Sequence, residues 1–187
     1  MKAWVGLMAG CVIAAQISSG LAQSVPEPIP ARGTVQVAFT PWDDAESMII
    51  DAINRAKTEI LVQAYGFTSR RITDALMSAH RRGVRVRLLA DREQTFSGDN
   101  SRVPDLAAAG VSVSLEVRYQ SAHNKVMVID PAAVDGAVIT GSYNWTYSAQ
   151  HRNAENVVIF RRSPELQKRY AENWYRHHAD ALPYDSR

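Results

Sequence analysis

His123 and Lys125 are the two residues whose types and spacing point most directly to chemistry. The apolar residues 126–129 follow them and end at Asp130, so residues 124–130 are predicted to form a buried strand that stops at a turn. Side chains two positions apart point to the same face of a strand. An imidazole beside an ammonium group suits attack on a phosphorus atom whose oxygens carry negative charge. We therefore predict chemistry on a phosphodiester.

Polar residues at the ends of the next predicted strands can complete such a site. Gly141 lets the backbone approach a ligand closely, and the Ser142 hydroxyl and Asn144 amide can donate to phosphate oxygens. Glu155 precedes another apolar strand. A carboxylate there could accept a hydrogen bond from one ring nitrogen of a histidine, which fixes the tautomer and leaves the other nitrogen free to attack.

The elements that position these residues follow from apolar periodicity. Strands are predicted at 35–39, 59–65, 84–90, 111–117, 125–129, 137–140 and 157–160. Helices are predicted through 48–56, after a capping box at 43–46; from the cap Ser69 to 82; through 106–109; and from Ser163 to 177. Residues 91–102 are predicted to form a loop on the substrate side. The α/β alternation indicates a mixed, mainly parallel central sheet flanked by helices on both faces.

The ends of the chain and its cysteine content set the domain organisation. Residues 1–22 have the pattern of a secretory signal peptide, with an uncleaved anchor or a lipid attached at Cys11 as weaker alternatives. Residues 23–33 are rich in proline and are predicted to be a linker, and 34–187 a single domain. Cys11 is the only cysteine, so the mature protein is expected to have no disulfide and no cysteine-held metal. We expect a periplasmic or secreted protein.

Charge and aromatic residues leave alternatives open. Seven arginines crowd one stretch and could follow a phosphate backbone or simply form a solvated surface: Arg70, Arg71, Arg81, Arg82, Arg85, Arg87 and Arg92. Trp145 either stacks on a base or sugar or packs under the turn. Tyr65 and Phe67 are expected in the core, and His177-His178 on a helix surface rather than at a metal.

Four features in chain order resemble the HKD signature of the phospholipase D superfamily: His123-x-Lys125, Asp130, Gly141-Ser142-x-Asn144 and the tract 153–156. Within it, the mature chain resembles the short, single-motif secreted bacterial nucleases. Ten residues separate Asp130 from Gly141, where the family commonly has about six. A longer hairpin turn is expected to absorb the difference.

This resemblance implies the phospholipase D fold and a two-step transfer through a phosphohistidine on His123. It implies that Lys125, Ser142 and Asn144 hold the phosphate oxygens, that Asp130 has a structural part, and that neither a metal nor another cofactor is needed. The reaction needs two histidines, and the chain has one HxK motif. The resemblance therefore implies a homodimer with the active site on its twofold axis.

The sequence thus favours an exported, metal-independent endonuclease with little sequence preference, acting on DNA and perhaps on RNA as well. No stable membrane association is expected after signal cleavage. Two alternatives remain: a phospholipase that uses the same chemistry on lipid head groups, and a nucleic-acid-binding module without turnover. A lipase needs an apolar surface near the site, whereas a nuclease needs a positive groove.

Overall fold

The computed structural model describes residues 25–30 and 32–185, so the predicted signal peptide at 1–22 lies outside the described residues. The strands are β1 (Thr34–Thr40), β2 (Glu59–Ala64), β3 (Arg85–Asp91), β4 (Ser112–Glu116), β5 (Lys125–Ile129), β6 (Ala137–Gly141), β7 (Glu155–Arg161) and β8 (Leu182–Pro183). The helices are α1 (Ala45–Asn54), α2 (Arg70–Arg81), α3 (Arg92–Phe96), α4 (Val103–Ala108), α5 (Tyr147–His151) and α6 (Pro164–Ala179). None of these helices is long and apolar enough to cross a membrane.

One mixed sheet contains all eight described strands, in the order β1-β7-β6-β5-β2-β3-β4-β8. Only the β2–β3 and β3–β4 pairs are parallel, and the other five pairs are antiparallel. The prediction of a mixed sheet is confirmed, but the expectation that it would be mainly parallel is wrong. Helices connect successive strands as far as β4. Strands β5, β6 and β7 then follow one another without a long helix between them, so each pairs antiparallel with the next.

Helices cover both faces of this sheet, as predicted. Ile60 and Val62 of β2 point to the face that packs against α1, α2 and α4, whereas Leu61 points to the face covered by α6. Trp174 of α6 is fully buried there, and its Nε1 donates to the carbonyl oxygen of Val62 at 2.9 Å. All six residues of β2 are buried, and four of them are apolar: Ile60, Leu61, Val62 and Ala64.

The caps of the two long N-terminal helices differ from the predicted pattern in one respect. Asp44 caps α1 by accepting from the amide of Ser47 at 3.0 Å, and Ser69 caps α2 by accepting from the amide of Ile72 at 3.1 Å. The predicted capping box is wrong for its glutamate, because the Glu46 side chain turns inward. Its carboxylate accepts from the Ser69 hydroxyl and from Arg71 Nη1, and so ties α1 to the start of α2.

Three short elements were not predicted. Helix α3 occupies the first part of the expected 91–102 loop, where Asp91 accepts from the amide of Gln94 at 2.8 Å. Helix α5 follows β6, with Thr146 as its cap, and β8 pairs with β4 at the edge of the sheet. Each has five residues or fewer, too short for apolar periodicity to distinguish from a turn.

Candidate active site

The residues with candidate chemistry gather at one edge of the sheet. Strand β5 lies antiparallel to both β2 and β6, so its first residues meet the last residues of its two neighbours: Lys125 pairs with Ala64, and Val126 with Thr140. Gly141 is the last residue of β6, and Glu155 is the first residue of β7. The antiparallel hairpins therefore place His123, Lys125, Gly141, Ser142, Asn144 and Glu155 at the same end of the sheet.

His123 and Lys125 form a close pair at the start of β5. The Nζ atom of Lys125 lies 2.7 Å from Nδ1 of His123 and donates to the carbonyl oxygen of the same residue at 2.8 Å. The His123 side chain is exposed, whereas Lys125 is only 6% exposed. The buried ammonium group thus holds the imidazole from one side, and the exposed side of the imidazole can contact a ligand.

Tyr65 is a site residue that the sequence did not reveal. Its ring centroid lies 4.3 Å from that of His123, and Lys125 Nζ lies 4.9 Å from the Tyr65 centroid. The expectation that Tyr65 belongs to the core is therefore wrong, since the side chain is half-buried against His123 and Lys125. Phe67, in contrast, is buried as expected. The available signal was position: Tyr65 follows the last residue of β2, the strand next to β5.

Ser142 and Asn144 present polar atoms beside this pair. The Ser142 oxygen accepts from the backbone amide of Asn156 at 3.0 Å and from its side-chain amide at 3.3 Å, so the hydroxyl proton stays available to a ligand. Asn144 accepts from the amide of Gly66 through Oδ1 at 3.3 Å. Its Nδ2 has no hydrogen-bond partner within the described residues, and an amide group of this kind can donate to a phosphate oxygen.

Gly141 shows why glycine is needed at the end of β6. A Cβ atom at this position would lie 2.2 Å from the carbonyl oxygen of Asn156. Any larger residue would push β6 away from β7 at the point where Ser142 begins the turn.

Glu155 acts on Lys125 through its charge. Burial lowers the pKa of the Lys125 ammonium group below its usual value, and the Glu155 carboxylate opposes that shift. Glu155 accepts from the side-chain amide of Asn153 at 2.9 Å. Within the described residues no hydrogen bond joins Glu155 to His123.

Asp130 lies at the opposite end of β5 from His123 and Lys125. Its carboxylate accepts from the amides of Lys57, Thr58 and Glu59 at 2.7–2.9 Å and from the Thr58 hydroxyl at 2.7 Å. Burial alone would raise the pKa of Asp130, but these hydrogen bonds outweigh it and the pKa lies below its usual value. These contacts fasten the end of β5 to the turn before β2.

Asp91 is a second residue that sequence reasoning missed. One carboxylate oxygen caps α3, and the other accepts from the amide of Ala122 at 2.8 Å. The side chain is 4% exposed. Because Ala122 directly precedes His123, this contact fixes the backbone that carries the imidazole.

The structure decides the alternative that was open for Trp145 and corrects the expectation that His177 lies on a helix surface. Trp145 is 1% exposed, and its Nε1 donates to the carbonyl oxygen of Gln63 at 3.0 Å, so it packs under the turn and does not face a ligand. His177 is not an isolated surface residue, because its Nδ1 lies 2.6 Å from a carboxylate oxygen of Glu116. Within the described residues, no three His, Cys, Asp or Glu side chains form a group that could hold a metal ion.

The seven clustered arginines do not form one stripe. Arg85 and Arg87 bind Glu59 at the far end of β2, and Arg82 donates to carbonyl oxygens at the end of α1. Arg70 and Arg71, in contrast, stand at the start of α2, on the same edge as the site. Only part of the cluster can therefore contribute to a ligand-binding surface there.

A scan against protein families matches residues 49–177 to the family described as cardiolipin synthase, PLD-like domain. The match covers more than half of the chain. The chain belongs to the phospholipase D superfamily. It is accordingly a phosphodiesterase of this superfamily, as the HKD resemblance predicted.

Relatives within the phospholipase D superfamily carry different names. The chain is 39% identical to a phospholipase D of Rickettsia prowazekii over 148 residues, which are 78% of this chain and 68% of the relative. It is 32% identical to a mitochondrial cardiolipin hydrolase of Xenopus tropicalis over 117 residues, 63% of this chain and 53% of the relative.

Solved structures confirm the phospholipase D fold. The family member Nuc from Salmonella typhimurium superimposes with a TM-score of 0.76 at 32% identity, covering 82% of this chain and 99% of Nuc. NucT from Helicobacter pylori gives a TM-score of 0.72 at 22% identity, covering 81% of this chain and 99% of NucT. The α/β fold with a mixed sheet flanked by helices is thus the fold that these two compact superfamily members share.

Proposed function

We propose that the protein is an endonuclease that hydrolyses DNA with little sequence preference and without a metal ion. The observation that carries this proposal is the pair formed by the exposed imidazole of His123 and the buried ammonium of Lys125. The nucleic-acid substrate is supported by the resemblance to single-motif secreted nucleases. It is also supported by the polar side chains of Ser142 and Asn144 around the pair.

In the proposed mechanism, His123 attacks the phosphorus atom, so that a P–N bond forms while the bond to the leaving oxygen breaks. A second histidine gives its proton to that oxygen. The same histidine then takes a proton from water, whose oxygen attacks the phosphorus and breaks the P–N bond. Lys125, Ser142 and Asn144 donate to the nonbridging oxygens during both steps.

The second histidine is proposed to be His123 of a second copy, in a homodimer with the site on its twofold axis. The other four histidines have different surroundings: His80 lies near the far end of α2, His177 pairs with Glu116, His178 stacks on Trp174, and the His151 ring packs tilted against Tyr147. An exposed apolar stripe on β1, formed by Val35, Val37 and Phe39, lies beside β7 and offers a contact surface near the site. A Glu155 brought across the axis could accept from the partner's imidazole.

A phospholipase is the second candidate, and two observations favour it. Relatives carry the names phospholipase D and cardiolipin hydrolase. The side chains of Phe39 and Trp42 are 53% and 83% exposed and could insert into a lipid surface next to the site. A nucleic-acid-binding module without turnover is the third, and the intact set of His123, Lys125 and Asn144 argues against it.

We also propose that residues 1–22 direct export and that 23–33 link this segment to a single domain at 34–187. The protein would then act in the periplasm or outside the cell, without stable membrane association. N-terminal sequencing of the protein from a periplasmic fraction tests this. A mature chain that begins near residue 23 is expected, and a chain that retains Met1 in the membrane fraction would contradict it.

The experiment that tests the function compares the mature protein with a His123→Ala variant on plasmid DNA, RNA and phosphatidylcholine vesicles, all in chelator. His80→Ala serves as the matched control, because His80 stands near the far end of α2. We expect nicking and cleavage of DNA that only His123→Ala abolishes. Release of the lipid head group without DNA cleavage would establish a phospholipase instead. DNA binding without turnover of any substrate would establish a nucleic-acid-binding module.

A further inference from the structure

We propose that a groove next to the catalytic pair binds the single-stranded nucleic-acid segment that flanks the scissile phosphate. The groove, about 750 Å³ in volume, lies between the start of α2, the loop from α3 to α4, and α5. We call it the arginine groove, because Arg70, Arg71, Arg102 and Arg152 line it. The inference rests on the proposed nuclease function and names the part of its substrate that lies outside the reacting bond.

The arginine groove lies next to the turn that carries Asn144 of the candidate site. Thr146 lines it, and Asn144 lies two residues earlier in the same turn, a span of at most about 7 Å. The turn is held to the end of β2, because Gly66 donates to the Asn144 side chain and Thr68 donates to the Trp145 carbonyl at 2.9 Å. A strand whose phosphate lies at His123 would reach the groove with its next nucleotides.

The charge of the groove is positive, and two of its four arginines have no ion pair within the described residues. Glu46 is the one carboxylate among the residues that line it, and Arg71 binds it at 2.8 Å. Arg70 and Arg152 are exposed and have no ion pair within the described residues. Arg102 pairs with Asp105 through Nη1, but its buried Nε has no hydrogen-bond partner in the described structure.

An aromatic ring stands among these cations. Tyr147 is 56% exposed, its ring centroid lies 4.3 Å from that of His151, and the Arg152 guanidinium lies 5.8 Å from it. Arginines that follow a backbone, together with an exposed ring on which a base can stack, are the means by which proteins bind single strands without sequence preference. Tyr147 would stack a base while Arg70 and Arg152 hold the adjacent phosphates.

The composition of the groove disfavours a lipid as its occupant. No aliphatic side chain lines it, and besides the arginines, Tyr147, His151 and Glu46 the lining is made of short polar side chains such as Thr68, Ser148 and Asn100. An acyl chain would find no aliphatic side chain to pack against there, whereas a nucleic-acid strand would place its phosphates beside the arginines.

Binding is tested in the His123→Ala background, where no cleavage occurs, with a fluorescent DNA single strand of about 12 nucleotides. We expect the further double substitution Arg70→Ala/Arg152→Ala to weaken binding about tenfold or more, and to reduce the slope of log K against log salt by about 1.4 for two lost phosphate contacts. Tyr147→Ala should also weaken binding, and Tyr147→Phe should restore it. Arg81→Ala, an exposed arginine at the other end of α2, is the control and should bind normally.

Turnover separates this inference from the proposed function. In the His123-intact protein, Arg70→Ala/Arg152→Ala should raise KM for the DNA strand while hydrolysis of bis(p-nitrophenyl) phosphate, which fills only the reacting site, stays unchanged. Equal DNA binding and KM in the variant and the wild type would overturn the arginine groove and leave the nuclease intact. A wild type that hydrolyses bis(p-nitrophenyl) phosphate but no nucleic acid would overturn the nuclease itself. Loss of vesicle binding in the variant, with DNA binding unchanged, would assign the groove to lipid and also overturn the inference.

Discussion

Lys125 Nζ lies 2.7 Å from Nδ1 of His123. A charged lysine can only donate, so Nδ1 is the acceptor and a neutral His123 carries its proton on Nε2. Attack on phosphorus by Nε2 needs the other tautomer, with the proton and its acceptor at Nδ1. Protonation of the leaving oxygen needs an imidazolium, which carries a proton on both nitrogens. The contact with Lys125 therefore holds His123 of one subunit in neither of the two forms that the proposed reaction requires.

Mixed dimers test whether two copies of His123 share one site. Wild-type and His123→Ala chains are unfolded together in equal amounts and refolded, so that half of the dimers are mixed. Because a mixed dimer has one histidine, we expect about a quarter of the wild-type activity instead of about half. Mixtures with His80→Ala should keep full activity. A value near one half would show that each chain works alone.

The pH dependence of the reaction reports the charge on Lys125. The protonated amine is the active form, so activity falls as pH rises through its pKa, which burial holds below the usual lysine value and Glu155 raises in part. Glu155→Gln removes the opposing charge, and we expect the alkaline limb of kcat/KM to move to lower pH. Glu172→Gln, on the exposed side of α6, should leave the limb in place. A limb that moves to higher pH in Glu155→Gln would contradict the assigned interaction.

Asp130 is expected to affect stability rather than chemistry. Asp130→Asn removes a charge that four donors share, which should lower the free energy of unfolding by about 2–3 kcal/mol near neutral pH. Since the folded pKa lies below the usual carboxyl value of about 3.9, the stabilisation is complete above that pH and is lost as pH falls through the lowered pKa.

Urea unfolding of both proteins near pH 7 and near pH 3 measures this difference. The gap between wild type and Asp130→Asn should shrink at the lower pH, and kcat of the folded variant should be close to that of the wild type. A variant with wild-type stability and lost turnover would instead place Asp130 in the reaction.

Chelator provides a direct test of the proposed role of protein groups in charge stabilisation. In the proposed mechanism, Lys125 supplies the positive charge and Asn144 the hydrogen-bond donor that stabilise the phosphate oxygens, a task that a metal ion performs in other phosphodiesterases. We expect the rate of DNA cleavage in EDTA to equal the rate in untreated buffer. A loss of activity that added Mg²⁺ or Zn²⁺ restores would contradict the metal-independent mechanism.

Long periodic elements could be predicted from the sequence, because their apolar spacing reports which face is buried. Strands β1 to β7 and helices α1, α2, α4 and α6 were all predicted to within a few residues. Short α3, α5 and β8 were not, since tertiary contacts decide elements of this length. The sheet was expected to be mainly parallel because the alternation up to β4 was extended to the whole chain, although hairpins build the other half.

The candidate site was only partly predictable. A motif identifies residues that are close in sequence, such as His123 and Lys125, but Tyr65 and Asp91 reach the same place from other strands. Aromatic type alone could not tell Tyr65, which contacts His123, from Trp145, which packs beneath the turn. Arg85 and Arg70 are close in sequence, yet strand and helix directions carry them to opposite edges of the sheet.

The position of β5 has a consequence for how such proteins can diversify. This strand is fourth of eight in the sheet and is hydrogen-bonded on both sides, to β6 and to β2. The loop from α3 to α4 and the outer strand β1 lie outside this central pairing and carry exposed side chains. Substitutions there can change which ligand the surface contacts while the groups proposed for catalysis keep their places. Substrate specificity can thus change in evolution within one small domain while the phosphodiester chemistry stays the same.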